Sequence, residues 1–392
     1  MPRRVAMASA GMSRFGNRSD RTPKQLFDEA LAEARARCPA WDGRVDEAWV
    51  GTVGFGGQQP GNSAALFLQG TPAQGAPAHR VENACASSGF ALRDAWHAIR
   101  SGAVDVALVA GVETMNAYER AHRGYWLGVS GDTEVERMSG LTFAGVYALM
   151  ARAHMRAHGT TSEHLAHVAV KNHAGGAHNP HAQFQKPITL EKALASPRVA
   201  DPLGLFDCCS TTDGAAAVLL VAEERAQAFT DRPVWLTGSG AATDALALHA
   251  RPRLDGMQAT TAAARQAFAA AGIAPSEAAR RLAFAEVHDC FTVAEVMAVE
   301  DLGFVAKGEG GPATAAGRTA PGGDLPVVNP SGGLKAKGHP LGATGAGQAV
   351  EVFEQFHQLA GGRQVQGARA ALTHNVGGSG ATCAVHVWEV DA

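Results

Sequence analysis

The chain has 392 residues, 46% of them hydrophobic and 18% charged, with 46 glycines and a formal net charge of −3. Two domains fit in that length, and the composition is that of a compact α/β protein with many tight turns, which excludes disorder. There is no long basic run and no uninterrupted apolar stretch of about 18 residues, which excludes nucleic acid, an anionic membrane surface and a bilayer span as the protein's business.

Residues 5–10 read as a first strand running into a Gly-rich turn at 11–16, and the polar residues within that apolar run argue against a signal peptide. Thr22 and Pro23 start a helix whose apolar residues Leu26, Ala30, Leu31 and Ala34 keep helical spacing. A strand at 45–53 and a short apolar helix at 64–68 follow. At 81–92 Cys85 sits among the small residues Ala84, Ala86, Ser87, Ser88 and Gly89, directly before a helix reaching about Arg100 and a strand at 104–109. A Cys at a helix N-terminus meets unpaired N–H groups and the positive end of the dipole, which should ease thiolate formation. Strands alternating with helices predict right-handed crossovers and a largely parallel sheet covered on both faces.

From 116 to about 210 the chain changes character, and Asn179-Pro180 and Ser196-Pro197 break it into irregular pieces. This segment reads as an insertion lying over the first domain. Its histidines (154, 158, 164, 167, 173, 178 and 181) match no established ligand spacing, so no metal is expected. A buried strand at 216–221 closes the first half.

A second series then echoes the first. The strand at 234–238, the helix at 260–271 and the strand at 282–287 take the places of the first strand, the Thr22 helix and the second strand. Residues 303–326 read as a long loop, 345–359 as a helix after a small-residue turn, and 370–372 and 383–388 as closing strands. If two such halves pack face to face, the turns after equivalent strands converge on one site.

Four turns carry the chemistry: the Cys85 turn, His288-Asp289-Cys290-Phe291, the Gly-rich passage at 329–345 with His339 before Pro340, and His374-Asn375-Val376-Gly377-Gly378-Ser379-Gly380. A Cys nucleophile needs a base, and His is the usual one near neutral pH. A tetrahedral thioester intermediate needs N–H donors, which glycine turns supply by close backbone approach. A second thiol can move the proton that carbon–carbon chemistry next to a carbonyl requires. The six cysteines (38, 85, 208, 209, 290 and 383) form no CxxC pair, so neither a zinc site nor a disulfide framework is expected. The chain does not end in Ser-Lys-Leu, and the cytoplasm is the expected location.

Together Gly11-Met12-Ser13-Arg14-Phe15-Gly16, the Cys85 turn, Lys171-Asn172-His173, Cys208-Cys209-Ser210-Thr211-Thr212-Asp213-Gly214, His288-Asp289-Cys290-Phe291 and Gly338-His339-Pro340 resemble the thiolases nearly end to end. Within them the chain is most similar to the sterol-carrier-protein-2 type and its archaeal acetyl-CoA acetyltransferase relatives. The resemblance implies that Cys85 takes the acyl group, that His339 activates it, and that His288 and His339 form one oxyanion hole. It implies a second hole from the N–H groups of Cys85 and Gly377, and a pantetheine contact for Phe291 and Ser210. Commoner thiolases start a Cys-x-Gly-Gly-Gly turn with their acid/base Cys; Asn375 stands there here, and Cys290 is assigned that role instead.

The implied fold is α/β, two similar halves (1–115 with 212–235, and 236–392) with five-stranded mixed sheets layered with helices, plus a loop domain at 116–211. The implied reaction is CoA-dependent cleavage of 3-ketoacyl-CoA or the reverse Claisen condensation. Coenzyme A is the co-substrate, no cofactor is permanently bound, and the protein is a homodimer or homotetramer. The rivals are a retro-aldolase lyase working with a small OB-fold, zinc-ribbon partner, an acyl-CoA-handling subunit of such a complex, and a decarboxylating ketoacyl synthase.

Overall fold

The apolar runs of the sequence become strands in the computed structural model, which describes residues 3–391. In chain order they are β1 (Val5–Met12), β2 (Glu47–Gly51), β3 (Ala78–Val81), β4 (Val106–Glu113), β5 (Arg198–Ala200), β6 (Leu203–Gly204), β7 (Gly214–Ala222), β8 (Val234–Thr243), β9 (Phe284–Glu286), β10 (Val327–Val328), β11 (Ala370–Gly377) and β12 (Thr382–Glu389). The helices are α1 (Pro23–Arg37), α2 (Ser63–Leu68), α3 (Ser87–Ser101), α4 (Arg120–Gly128), α5 (Phe143–His158), α6 (Ser162–Gly176), α7 (Leu190–Leu194), α8 (Glu223–Phe229), α9 (Gln258–Ala271), α10 (Ala278–Arg281), α11 (Thr292–Asp301), α12 (Gly310–Ala315), α13 (Gly333–Ala336) and α14 (Thr344–Phe356). None of them is long and apolar enough to cross a membrane.

Strand pairing makes the internal repeat explicit. The first half runs β3-β2-β4-β7-β1 and the second β10-β9-β11-β12-β8. In each, the two outer pairings are parallel and the two inner ones antiparallel. The halves are joined edge to edge through Ala6↔Trp235 and Met7↔Val234, so the two five-stranded sheets form one ten-stranded sheet. This corrects the expectation of a largely parallel sheet. Only strands entered through a helix crossover run parallel, whereas β7 returns from the insertion and β12 follows β11 through a tight turn.

The two halves turn one face toward a shared pair of helices. α14 is buried at every position, and α3 buries Ala91, Leu92, Ala95, Trp96 and Ile99 among residues from both halves. The opposite faces are covered by α1 and α2 in the first half and by α9 and α11 in the second. α1 begins as its sequence predicts: the Thr22 side chain accepts from the Gln25 N–H and the Gln25 side chain from the Thr22 N–H, with Pro23 inside the first turn. The passage at 303–326 is not all loop. It contains α12, whose glycines approach the carbonyl of Val296 and the ring of His164 where side chains would collide.

The histidines of the insertion build structure. His154 is buried between Thr160 (2.8 Å) and Glu300 (2.9 Å), and His158 bonds Asp255 at 2.8 Å. These contacts fasten α5 to the second half.

The approach of α3 to α14 depends on glycine. A Cβ on Gly345 would lie 2.5 Å from both the Gly89 nitrogen and Asn375 Oδ1, and one on Gly111 would lie 2.2 Å from the Gly342 carbonyl oxygen. Gly345→Ala is therefore expected to push the two central helices apart and destabilise the fold by about 1–3 kcal/mol. A lowered midpoint of urea unfolding checks this; an unchanged midpoint would show that the helix contact tolerates an extra methyl.

Candidate active site

Each turn that carries chemistry leaves the same end of a repeated unit. Cys85 follows β3 and precedes α3, and His339 follows β10 and precedes α14, the equivalent place in the second half. His288, Asp289 and Cys290 follow β9, and the 377–380 turn follows β11.

The Cys85 turn is tightly closed. The Asn83 N–H donates to Ser87 Oγ at 3.0 Å, and Ser87 Oγ donates to the Ala84 carbonyl at 2.6 Å. Ala84 is forced into the left-handed region at φ +49°, which costs a residue with a Cβ and marks a turn held by its surroundings. Asn375 supplies much of that hold. Its Nδ2 donates to the Cys85 carbonyl at 2.9 Å, and its Oδ1 accepts from the Gly89 N–H at 3.2 Å. Ser88 Oγ accepts from the Ala346 N–H at 2.9 Å, so the starts of α3 and α14 are bonded together.

His339 is oriented by Thr344. The Thr344 hydroxyl donates to the Pro340 carbonyl at 3.0 Å and lies 2.7 Å from His339 Nδ1, so it must accept from Nδ1–H. That leaves Nε2 with its lone pair, ready to act as a base. The His339 N–H donates to Thr212 Oγ1 at 2.9 Å, tying the loop to the end of the insertion.

His288 is held the other way round. Asn375 Nδ2 lies 3.4 Å from His288 Nδ1, an acceptor position, so the proton sits on Nε2. That buried Nε2 has no hydrogen-bond partner, which marks a donor aimed at something the chain does not itself provide. The Cys85 sulfur and one nitrogen from each of His288 and His339 lie within 4.8 Å of one another. The two imidazole rings meet edge to face, with centroids 5.0 Å apart.

Asp289 turns away from this group. It accepts from the Leu334 and Lys335 N–H groups and from Asn172 Nδ2, anchoring the His288–Cys290 turn to α13 and α6. Burial raises the Asp289 pKa, and Glu295, which accepts from Asn172 and Asn329 and pairs with Lys171, adds to the rise.

A cleft of about 520 Å³ opens onto the group. Cys85, Cys290, His339, Phe291, Ser210 and Gly378 line it, with Cys208, Cys209, Met115 and the apolar residues Leu127, Leu141 and Phe143. His288 lies behind this lining, 1% exposed. Gly377 ends β11 and is not itself a wall of the cleft; the next glycine is, and the Gly378 N–H faces the Cys85 sulfur.

Burial dominates the electrostatics. It pushes the Cys85 and Cys290 thiols well above their ordinary range and His339 down to about 3, and it holds His288 far below the usual imidazole range. This corrects the expectation that the helix N-terminus eases thiolate formation at Cys85. The turn does precede α3, but the loss of water around the sulfur outweighs the dipole. Cys85 and His339 therefore meet as neutral thiol and neutral imidazole.

Among the described residues, two side-chain groups have the reach to grip a metal: Cys85 with His288 and His339, and Glu33 with His181 and Glu354. In the second, Arg37 already bonds both carboxylates and Arg363 bonds Glu354, so the group is a neutralised ion network. In the first, the thiol is protonated by its surroundings and the donors suit a nucleophile and its base.

Sequence reasoning did not single out Thr344, Tyr147 or the bridging role of Asn375. Asn375 had a visible signal, since it occupies the place where a thiol is usual. Thr344 and Tyr147 had none, because their roles depend on partners 5 to 231 residues away.

Comparison with known proteins agrees with this geometry. The thiolase N-terminal domain family matches residues 5–224 and the thiolase C-terminal domain-like family residues 240–390. The acetyl-CoA acetyltransferase of Methanothermobacter thermautotrophicus is 43% identical over 387 residues, covering 98% of this chain and 99% of that protein. Human sterol carrier protein 2 is 34% identical over 394 residues, covering 97% of this chain and 71% of that protein. Among solved structures, the Ltp2-ChsH2(DUF35) aldolase superimposes with a TM-score of 0.85 at 25% identity, covering 100% of this chain and 98% of that one.

The raised thiol pKa has a direct consequence. Below that pKa the thiolate fraction rises about tenfold per pH unit, so iodoacetamide labelling of Cys85 in the free protein should accelerate about tenfold per unit between about pH 7 and 9. A rate already flat at pH 7 would reveal a preformed thiolate–imidazolium pair.

Proposed function

The chain belongs to the thiolase family and is an acyltransferase; on the geometry of its cleft we propose that it transfers acyl groups between 3-ketoacyl-CoA and coenzyme A through Cys85. One observation carries the reading: the Cys85 sulfur and the nitrogens of His288 and His339 meet within 4.8 Å in a cleft that Cys290 also lines. A nucleophile, its base and a second proton carrier thus line one cleft, with the oxyanion donor directly behind them.

In thiolysis, His339 Nε2 takes the Cys85 proton as the sulfur attacks the 3-keto carbon. When the bond between C2 and C3 breaks, its electron pair moves onto the thioester as an enolate. The Nε2–H groups of His288 and of the now protonated His339 donate to the enolate oxygen. Cys290 gives its proton to C2, and acetyl-CoA leaves. The acyl-enzyme carbonyl oxygen accepts from the Cys85 N–H and from the 377–378 turn. The Cys290 thiolate then removes the thiol proton of coenzyme A, whose sulfur attacks the acyl group. His339 returns its proton to Cys85. Run backwards, the same steps condense two acyl-CoA units.

In this reading coenzyme A is a co-substrate, with Phe291 and Ser210 on its path, and no cofactor is permanently bound. Cys85, unpaired like the other cysteines, must stay reduced, which fits a reducing compartment such as the cytoplasm. In this reading the halves span 1–115 with 212–235, and 236–392, around a loop domain at 116–211. A homodimer or homotetramer is the proposed assembly.

A second reading is supported by the likeness to the Ltp2-ChsH2(DUF35) aldolase. A lyase of that kind, or a subunit handing acyl-CoA to a small OB-fold partner, has no need of a nucleophilic thiol, and the placement of Cys85 beside His339 favours acyl transfer over both.

Cys85→Ala is expected to abolish the acetyl-enzyme that mass spectrometry detects after incubation with acetyl-CoA. Cys290→Ala is expected to keep that acetylation and lose thiolysis by about 10²- to 10⁴-fold, the usual size of a general acid–base contribution. Full thiolysis in Cys290→Ala would refute the acid/base assignment, and cleavage of a β-hydroxyacyl-CoA by Cys85→Ala would favour the lyase.

A further inference from the structure

Tyr147 reaches the site from α5, outside all four turns described above. Its ring is fully buried and stacks on Phe291 with centroids 4.5 Å apart and planes at 22°. Its hydroxyl donates to the Gly378 carbonyl at 3.0 Å and lies beside the Cys290 thiol. Gly378 is the residue whose N–H faces the Cys85 sulfur. The phenol oxygen thus holds the turn that lines the cleft with Cys85, while its ring packs on the residue next to Cys290.

We propose that Tyr147 is a positioning residue for Cys290, holding the thiol against the Gly378 turn and donating its phenol proton to the Cys290 sulfur while that sulfur is ionised between the two halves of the reaction. This rests on the reading of Cys290 as the proton carrier. In the resting protein the phenol proton is on the Gly378 carbonyl, so the phenol oxygen is free to accept from Cys290 S–H. When Cys290 has given its proton to the carbon of the leaving group, the phenol O–H turns from the carbonyl to the thiolate. When Cys290 regains a proton from coenzyme A, the phenol turns back. No bond to the phenol oxygen breaks, and the tyrosine stays neutral throughout, as its strongly raised pKa requires.

The surroundings favour such a donor. Burial is the main cause opposing a negative sulfur at Cys290, and its neighbours Cys85 from the turn before α3, Cys209 from the segment before β7 and Asp289 on its own turn bring no positive charge to offset it. His288 and His339 nearby are neutral. Tyr147 is the side chain beside Cys290 that favours its ionised form, together with the Phe291 N–H of its own turn. Behind it lies the buried guanidinium of Arg251, which bonds only neutral oxygens: Ser379 O at 2.7 Å, Ser379 Oγ at 3.0 Å and Ala245 O at 2.8 Å. That charge fastens the other side of the same turn and favours negative charge at the phenol.

Tyr147→Phe keeps the ring and its stacking, so the fold should survive; Tyr147→Leu, which removes both, reports on packing alone. The expected result for Tyr147→Phe is acetylation of Cys85 by acetyl-CoA within about threefold of wild type and a thiolysis kcat lower by about 10- to 100-fold, the size of one hydrogen bond to an ionised group. The pH profile of Cys290 alkylation, followed on the Cys290 peptide in a Cys85→Ser background, should move to higher pH. An unmoved profile, or equal losses of acetylation and thiolysis, would overturn the proposal. Cys290→Ala measured in parallel separates the two readings. If it thiolyses normally, the proton-carrier assignment fails and the role of Tyr147 with it; if it does not while Tyr147→Phe behaves as wild type, only the present inference fails.

Discussion

The contact on which the site depends is the approach of α3 to α14. Two helices from opposite halves can start side by side only if nothing stands between Gly89 and Gly345, and the Asn375 amide fills the remaining space. The turn before each helix carries one reacting side chain, Cys85 before α3 and His339 before α14. Packing of the core thus sets the distance between Cys85 and His339, two residues 254 positions apart in a chain of 392. The same repeat explains why the 288–291 and 374–380 turns arrive at this place, since β9 and β11 are neighbours in the second sheet.

Burying a nucleophile, two imidazoles and a second thiol together has an electrostatic cost, and the structure meets it by keeping all four neutral. A thiolate and an imidazolium as a permanent pair would each lose hydration, and the cleft offers few charges to replace it. A neutral pair instead lets the proton move only when a substrate carbonyl is present to receive the attack. The hydrogen bonds around the pair then matter more than the charges. Thr344 chooses the tautomer of His339, and Asn375 chooses that of His288, in opposite senses. One ring is left as an acceptor and the other as a donor, which is the division of labour that a base and an oxyanion donor need.

Much of this was legible before any coordinates. Alternation of apolar runs with small-residue turns located the strands and the two halves, and the helix from Pro23 was readable to its cap because Thr22, Pro23 and Gln25 are local signals. The reversed strand of each half, β7 and β12, was not readable, because direction is decided by what connects the strands, and a long insertion before β7 hides the return. The helix α12 escaped notice because its glycines read as loop, yet they are required by close neighbours on α11 and α6. At the site, the residue types that do chemistry stood out, while those that orient them did not. Thr344 is an ordinary helix-start threonine, and Tyr147 an ordinary residue of an amphipathic helix. The direction of the Cys85 pKa shift was misjudged for a related reason: a helix terminus is visible in a sequence, whereas the loss of water around a sulfur is a property of the packed whole.

The position of Asn375 connects these points. At the start of a glycine turn on β11, a thiol would face the same cleft from the strand next to β9, and one substitution there would seem enough to change which sulfur moves the proton. The structure shows why the exchange involves more than one residue. The Asn375 amide uses both ends, Nδ2 to hold the Cys85 carbonyl and set the His288 tautomer and Oδ1 to accept from the Gly89 N–H, and a thiol could not do all three. In the proposed mechanism His288 is an oxyanion donor held by Asn375, and the proton-carrying sulfur is that of Cys290, two residues beyond His288 on its own turn. On that reading Asn375, His288, Cys290 and Tyr147 form a set, and Asn375→Cys alone would orphan the Cys85 carbonyl and unsettle His288 without supplying a working replacement.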